Sequence, residues 1–280
     1  MGAEKIRESA IAGTWYSSDP VMLQKELAGY LDRADKPVLD GELAGLVVPH
    51  AGYIYSGGVA ARAYKLLSKD MFDRVLIMAP SHRAGFTGAS ISVADGYRTP
   101  LGVVPLDRHL IEELRKHADI IGYNPGAESG EHSLEIQLPF LQSVLGSFRL
   151  TPLLVGTRAP EFCMRLSEAV AGVCGQHRVL LIASSDLSHY HPDETARRLD
   201  GVCLKLLEAL DPHKLAEEVE NRGTEACGAG PMITLMHACK KLGANRCKIL
   251  HYATSGDVTG DLSGVVGYAA ASICKGAENG

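Results

Sequence analysis

The chain has 280 residues, of which 46% are hydrophobic and 22% charged, so it is long and apolar enough to bury a sizeable core. Its 33 acidic and 28 basic residues give a net charge of −5, which argues against nucleic acid or an anionic membrane surface as a partner. Thirty glycines and only 6% aromatic residues favour tight loops over an aromatic-lined groove. A site built from loops is therefore expected.

Cysteine usage and the first segment of the chain indicate the compartment. None of the seven cysteines stands in a C-x-x-C pair, which argues against a disulfide framework, a zinc ribbon or a thioredoxin-type motif. The first twenty residues lack the apolar core of a signal peptide, and no apolar run approaches the ~20 residues that span a bilayer. We expect a cytoplasmic protein without a membrane segment.

Short apolar runs alternate with longer amphipathic stretches, which is typical of an α/β sheet. In chain order, the predicted strands are 46–48, 75–78, 153–155, 179–182 and 265–268. The predicted helices are 57–68, 133–145, 160–174, 193–210 and 231–242, and the turn residues in 91–106 predict a hairpin. The strands read as continuous apolar runs, which favours burial on both faces. We expect one domain over 1–280, with residues 275–280 frayed.

Histidine follows three of the predicted strands. His50 comes directly after the first, His82 after the second, and His189 a few residues after the strand 179–182. Ligands of open α/β sheets bind outside the carboxyl ends of the strands, so one rim would receive all three imidazoles. A single histidine is more often a surface or capping residue, but three in equivalent positions favour a shared site. Pro49 and Pro80 would stiffen two of these turns.

Two histidines that hold a metal need at least one further ligand, commonly a carboxylate or a thiolate. Cys227 differs from the other cysteines because it lies in a glycine-rich segment before a predicted helix, where amides lower the pKa of a thiol. The other six fit small buried side chains. The carboxylate candidates are Asp186, Glu131, Glu135, Asp257 and Asp261. The residues alone leave this choice open.

Other site types find less support in the sequence. Neither G-x-x-x-x-G-K-[ST] nor G-x-G-x-x-G is present, which argues against a nucleotide phosphate loop. Ser184 and Ser185 lie close to His189, but the G-x-S-x-G elbow of serine hydrolases is missing. Two explanations fit the acidic residues of 131–135 equally well. They could mark the start of a helix, where acidic side chains are favoured, or they could position a neighbouring metal ligand.

Several of these motifs together resemble the Memo-like family, whose prokaryotic members are called AmmeMemoRadiSam system protein B. The segments that carry the resemblance are Ala12-Gly13-Thr14-Trp15-Tyr16, Val48-Pro49-His50-Ala51-Gly52-Tyr53, Ala79-Pro80-Ser81-His82, Glu131-His132-Ser133-Leu134-Glu135, Ser184-Ser185-Asp186-Leu187-Ser188-His189 and Cys227-Gly228. The resemblance implies a three-layer α/β sandwich with a central, mostly parallel sheet. That fold is similar to the class III extradiol dioxygenases, which hold non-haem Fe(II) at the carboxyl ends of sheet strands.

Carried onto this chain, the resemblance also implies roles for individual residues. His50, His82 and Cys227 would be the metal ligands, and His189, with Asp186 beside it, would be the acid/base residue. A thiolate here replaces the ligand carboxylate of the dioxygenases. Copper and zinc are therefore candidate metals beside Fe(II), and the resemblance does not by itself imply catechol cleavage. The side chains expected to contact a substrate are Tyr53, Tyr16, Glu131 and His132. For the tyrosines, ordinary packing is an equal alternative.

Two functions follow from these features. The first is a metal-dependent oxidoreductase that acts on a small, phenolic-type substrate while His189 moves a proton. The second is a non-catalytic protein that uses the same cleft to bind metal, a peptide terminus or a phosphorylated ligand, as the eukaryotic signalling adaptors of the family imply. The negative net charge disfavours a phosphorylated ligand. AmmeCR-type and radical-SAM partner proteins are implied by family association alone.

Overall fold

The computed structural model describes residues 4–35, 37–39 and 41–276. The strands are β1 (Ile6–Arg7), β2 (Glu42–Val48), β3 (Arg74–Pro80), β4 (Ala89–Ile91), β5 (Gly96–Thr99), β6 (Gly102–Pro105), β7 (Ile121–Gly122), β8 (Arg149–Val155), β9 (Val179–Ser184), β10 (His189–His191), β11 (Arg246–Thr254) and β12 (Val265–Lys275). The helices are α1 (Pro20–Arg33), α2 (Tyr53–Tyr64), α3 (Arg108–Arg115), α4 (Pro125–Glu128), α5 (Leu138–Leu145), α6 (Pro160–Cys174), α7 (Asp193–Glu208), α8 (Pro212–Glu220), α9 (Ala229–Lys241) and α10 (Gly256–Thr259).

A nine-stranded sheet forms the centre of the molecule. Its spatial order is β10-β12-β2-β9-β3-β8-β4-β7, and β11 pairs with β12. The four central strands, β2, β9, β3 and β8, run parallel, whereas β12 is antiparallel to β2 and β4 is antiparallel to β8. Helix α2 packs on β2, β11 and β12, and helix α9 packs on β2, β3 and β9. The predicted α/β fold with a central, mostly parallel sheet is confirmed.

Each predicted strand lies within an observed one, because a run of Val, Ile and Leu with no polar face must be covered on both sides. The predicted helix 160–174 is α6, and 193–210 and 231–242 differ from α7 and α9 by two residues or fewer at each end. Helix α2 begins four residues before its prediction. The segment 133–145 starts as a 3₁₀ turn, Glu135–Gln137, before α5.

Three helices that the apolar pattern missed each begin at an aspartate cap. The side chains of Asp19, Asp107 and Asp211 accept backbone N–H groups at the starts of α1, α3 and α8. Each cap satisfies a donor that has no partner inside the helix. In α1 and α8 a proline follows the cap at the first helical position, so an Asp-Pro pair could have revealed both starts from the sequence.

The predicted hairpin and tail are partly confirmed. Strands β5 and β6 form an antiparallel hairpin, which joins β1 in a separate three-stranded sheet. The predicted fraying is wrong for Lys275, which ends β12, and for Gly276, whose N–H donates to Asn245 Oδ1 at 2.9 Å. Residues 277–280 lie outside the described part of the chain. All seven cysteines are free thiols. No helix among the described residues is long and apolar enough to cross a bilayer.

The buried carboxylate of Glu135 binds residues of the first segment of the chain and holds that segment against the loop before α5. Glu135 accepts Arg7 Nη1 at 2.7 Å, Ser9 Oγ at 2.5 Å, Tyr16 Oη at 2.9 Å and the backbone N–H of Ala10 at 2.9 Å. The side chain of Glu135 is fully buried and that of Arg7 is 13% exposed. Because four donors converge on one carboxylate, residues 7–16 are held against the loop that precedes α5.

Replacing Glu135 with alanine should lower the free energy of unfolding by about 3 to 5 kcal/mol, since it leaves the Arg7 charge buried without its partner. Urea unfolding followed by circular dichroism measures this loss. Glu8→Ala is the matched control, because Glu8 pairs with Arg98 at the surface, where an ion pair contributes about 1 kcal/mol or less. Equal losses in the two variants would contradict the role of Glu135.

Candidate metal centre

Three histidines meet at the carboxyl ends of the central strands. His50 follows β2, His82 follows β3, and His132 lies in the loop before α5. One ring nitrogen from each lies within 4.8 Å of the other two, which is close enough for a single metal ion. His50 is buried, while the side chains of His82 and His132 are 31% and 12% exposed. The cluster is therefore open to solvent on one side.

Glu131 orients His82. Its carboxylate accepts the ring Nδ1 of His82 at 3.0 Å and the backbone N–H groups of His82 at 2.5 Å, His132 at 2.9 Å and Ser133 at 3.0 Å. Burial raises the pKa of Glu131, but the His82 ring and these N–H groups outweigh it and hold the pKa well below its usual value. Glu131 is thus an anion, and its contact with Nδ1 of His82 leaves Nε2 as the ring nitrogen that could bind a metal.

Ser184 orients His50 in a similar way. The Ser184 hydroxyl donates to the carbonyl of Ser133 at 2.6 Å, so its oxygen accepts from Gln137 Nε2 at 2.8 Å and from His50 Nδ1 at 3.0 Å. The proton of His50 is therefore on Nδ1, and its Nε2 lone pair can bind a metal. Burial is the main reason that the pKa of His50 lies well below its usual value, and the neighbouring His82 and His132 add to it.

His132 has the least satisfied ring of the three. Its Nδ1 is buried and makes no hydrogen bond with any described residue, although Glu131 Oε1 lies 3.3 Å away. The ring of Trp15 lies against it, with 4.3 Å between the ring centroids. Burial lowers the pKa of His132 to about 4, so the imidazole is neutral at physiological pH. A buried ring nitrogen without a hydrogen bond costs free energy.

Cys227 lies next to the cluster, on the segment before α9. Its Sγ is 3.1 Å from His50 Nε2, and its backbone N–H donates to the carbonyl of Asp186 at 3.2 Å. Burial raises the pKa of the thiol, and the nearby Asp186 raises it further. The metal-free thiol is therefore protonated, and a bound cation would be needed to displace its proton. The structure brings Cys227 to His50, but the group of possible ligand atoms that lie within 4.8 Å of one another contains His132 and not Cys227, so Cys227 as a metal ligand stays a prediction.

Asp186 and His189 follow β9 at the same rim. The buried carboxylate of Asp186 accepts the backbone N–H of His50 at 2.7 Å, and burial raises its pKa to about 7. His189 is partly exposed, and burial is the main reason that its pKa is lowered. A hydrogen bond with the carbonyl of Leu187 acts in the other direction and raises the pKa. His82 is close enough to lower the same pKa electrostatically. His189 is therefore near enough to His50 and His82 for electrostatic interaction, and burial favours its neutral form.

The two tyrosines expected at the substrate are in the core instead. Tyr16 and Tyr53 are buried, with 5.5 Å between their ring centroids. Tyr16 donates to Glu135, and Tyr53 donates to the carbonyl of Ile136 at 2.7 Å. Both hydroxyls are already bound within the protein. These contacts favour the packing alternative for both rings.

The remaining predicted residues have other partners. The contacts of Glu131 are with His82, His132 and the backbone, so it positions the cluster, whereas substrate contact by Glu131 or His132 stays a prediction. Among the open carboxylate candidates, Glu135 binds Arg7 and Asp257 binds Arg197 at 2.9 Å. Ser184, the partner of the His50 ring, is not among the predicted site residues. Its position at the end of β9, the strand that precedes His189, is the sequence feature that could have indicated it.

As the pH drops from 6.5 towards 4, protonation of His132 in the unfolded chain should lower the unfolding free energy of the metal-free protein by about 3 kcal/mol. In the folded state the pKa of His132 is about 4, so the unfolded chain takes up the proton first, and stability present above pH 6.5 is lost. Urea unfolding across this pH range measures the effect, and His132→Gln should lessen the slope. The same change at the exposed His109 is the matched control. An unchanged slope in His132→Gln would contradict the burial argument.

Comparison with known proteins places this site in a family. A model described as Memo-like protein matches residues 7–272. A MEMO1 family protein of Methanocaldococcus jannaschii is 38% identical over 96% of this chain and 99% of its own, and one of Methanosarcina barkeri is 37% identical over 95% and 98%. Among solved structures, an uncharacterized protein of Escherichia coli K12 is similar in fold alone, with a TM-score of 0.52, 12% identity and coverage of 82% of this chain and 99% of its own. The chain belongs to the Memo-like family.

Proposed function

We propose that this protein binds one transition-metal ion at the histidine cluster and uses it to oxidise a small substrate, with O₂ as the oxidant. The observation that carries the proposal is the convergence of His50, His82 and His132 within 4.8 Å, with Cys227 Sγ 3.1 Å from His50 Nε2. Neutral imidazoles with open access are typical ligands of catalytic metals. The protein positions its ligands through Glu131 and Ser184, as metal sites commonly do.

The residues present fit a metal of intermediate or soft character. The partners of the His50 and His82 rings are at Nδ1, which leaves Nε2 as the ligand atom of each; in His50 this is the atom that Cys227 Sγ contacts at 3.1 Å. The Nδ1 of His132 is buried and makes no hydrogen bond with any described residue. His50 and His82 would hold the ion, and His132, Cys227 or both would complete the set. Three imidazoles and a thiol suit Fe(II), copper or zinc, with Fe(II) as the first choice because the family resemblance implies a likeness to the class III extradiol dioxygenases.

The bound ion would supply Lewis-acid or redox chemistry. The chain itself supplies a base, because the lowered pKa of His189 keeps its imidazole neutral and ready to accept a proton from a substrate hydroxyl. Asp186 fixes the backbone of His50, so the end of β2 is held against the end of β9. Trp15 lies on His132 and shields that side of the cluster from water.

Metal binding can be followed through Trp15, the only tryptophan of the chain, because its ring lies 4.3 Å from that of His132. We expect one equivalent of Fe(II) or Cu to quench its fluorescence in protein purified without oxygen. His82→Ala should weaken binding at least tenfold, since it removes a ligand and leaves Glu131 without its partner.

His109→Ala, in α3, is the control and should bind as the wild type does. Cys227→Ser and His132→Ala, measured alongside, identify the remaining ligand as the variant with the larger loss. Iron and copper contents that are the same in His82→Ala and wild type, measured by elemental analysis, would refute the centre.

The catalytic part of the proposal depends on His189. His189→Ala should retain the metal but lower oxygen consumption with a panel of catechols by about 10²- to 10⁴-fold, the usual contribution of a general base. His191→Ala is a local control, because His191 binds Glu225 at 2.9 Å. If the metal-loaded wild type consumes no oxygen with any substrate of the panel, the non-catalytic binding function is favoured instead.

A further inference from the structure

A cavity of about 350 Å³ opens beside Cys227, between the ends of β3 and β8. Its wall includes Ser81 after β3, Thr157 and Arg158 after β8, and Gly230 in the first turn of α9. The volume lies within the range of sites that bind small molecules. Because it lies at the carboxyl ends of parallel strands, the cavity is where an α/β sheet binds its ligands.

The cavity and the histidine cluster share a boundary. Cys227 lines the cavity, and its Sγ is 3.1 Å from His50 Nε2. Ser81 lines it too and directly precedes His82. A molecule that fills the cavity would therefore have one end beside the proposed metal ligands and the other beside the loop after β8.

The charge of the lining is positive, although the whole chain is acidic. Arg158 is the one charged residue that lines the cavity, and it makes no hydrogen bond or ion pair with any described residue. A second cation, Arg83, is near enough to lower the pKa of His132. Two acidic side chains of this rim, Glu131 and Asp186, are buried and bound to backbone N–H groups, and a third, Glu225, pairs with His191. No carboxylate of a described residue lines the cavity itself, so an anion that enters it would meet the cation of Arg158.

Gly230 lets α9 lie close to the loop after β8, and Thr157 in that loop offers a hydrogen-bond donor. A Cβ on Gly230 would lie 2.5 Å from the carbonyl oxygen of Thr157, so any larger residue would push α9 away from the loop after β8. The Thr157 hydroxyl accepts the N–H of Ala159 at 3.2 Å, and its own hydrogen has no acceptor among the described residues. A hydroxyl donor and a guanidinium are thus available on one side of the cavity.

We propose that this cavity binds the carboxylate of the substrate through Arg158, so that the substrate is a small organic acid whose other end reaches the metal centre. A guanidinium binds a carboxylate with two parallel hydrogen bonds, which fixes orientation as well as charge. One arginine matches the single charge of a carboxylate. The second half of the inference rests on the proposed metal function, but carboxylate binding itself can be measured in metal-free protein.

The test compares benzoate with benzamide, a neutral molecule of nearly the same shape, on the metal-free full-length chain by NMR shift titration. Benzoate should bind at least tenfold more tightly than benzamide, as a charge-assisted hydrogen bond implies. Arg158→Gln should remove that preference. Arg165→Gln, in α6, makes the same change of charge outside the cavity, where Arg165 pairs with Asp119, and should preserve the preference.

Three results would overturn the assignment: equal binding of benzoate and benzamide, an unaltered preference in Arg158→Gln, or tighter binding of phenyl phosphate than of benzoate. Repeating the titration after metal loading separates the two proposals. If the protein fails to bind metal but Arg158 still selects benzoate, the metal function fails and the carboxylate subsite stands. If metal binds and Arg158→Gln retains the preference, the subsite alone fails.

Discussion

The ion pair between Arg7 and Glu135 holds the loop on which the candidate centre depends. Arg7 Nη1 donates to the Glu135 carboxylate at 2.7 Å, and Nη2 donates to the carbonyl of Glu131 at 2.6 Å. One guanidinium therefore connects β1 with both ends of the segment that carries His132. A charge buried this far from water is tolerated only when its partners are fixed, so the contact also fixes the loop.

Hydrogen bonds from that loop fix the orientation of the histidine rings. Glu131 binds the ring and the backbone of His82, and the Ser133 carbonyl receives the Ser184 hydroxyl that in turn accepts from His50. Two strand ends and one loop thus set the orientation of two imidazoles. A ring nitrogen of each lies within 4.8 Å of one from His132, whose Nδ1 is buried and makes no hydrogen bond with any described residue. A buried nitrogen without a hydrogen bond costs free energy, and three imidazoles this close together suit the metal ion proposed above.

Charge divides the rim into two parts with different chemistry. At the histidine cluster the carboxylates of Glu131 and Asp186 accept backbone N–H groups, and burial lowers the pKa of His50 and His132 so that these two imidazoles are neutral. In the adjoining cavity the exposed Arg158, which pairs with no residue that the structure describes, provides a positive charge in a chain whose net charge is −5. Cys227 belongs to both parts, since it contacts His50 and lines the cavity. A substrate that bridges the two would be oriented by its charge at one end and by the metal at the other.

The sequence by itself determined the α/β class, the buried strands and the delivery of His50 and His82 to one rim, because these depend on local apolar runs and on the rule that parallel strands end together. It also singled out Cys227 among seven cysteines. Only the tertiary structure placed His132 within 4.8 Å of the other two histidines and turned Glu131 towards His82. Those positions are set by Arg7 and Glu135, which are 128 residues apart in the chain, and long-range pairing of this kind leaves no periodic signal. For the same reason Tyr16 and Tyr53, which the motifs placed at the substrate, are core residues whose hydroxyls were bound by distant partners.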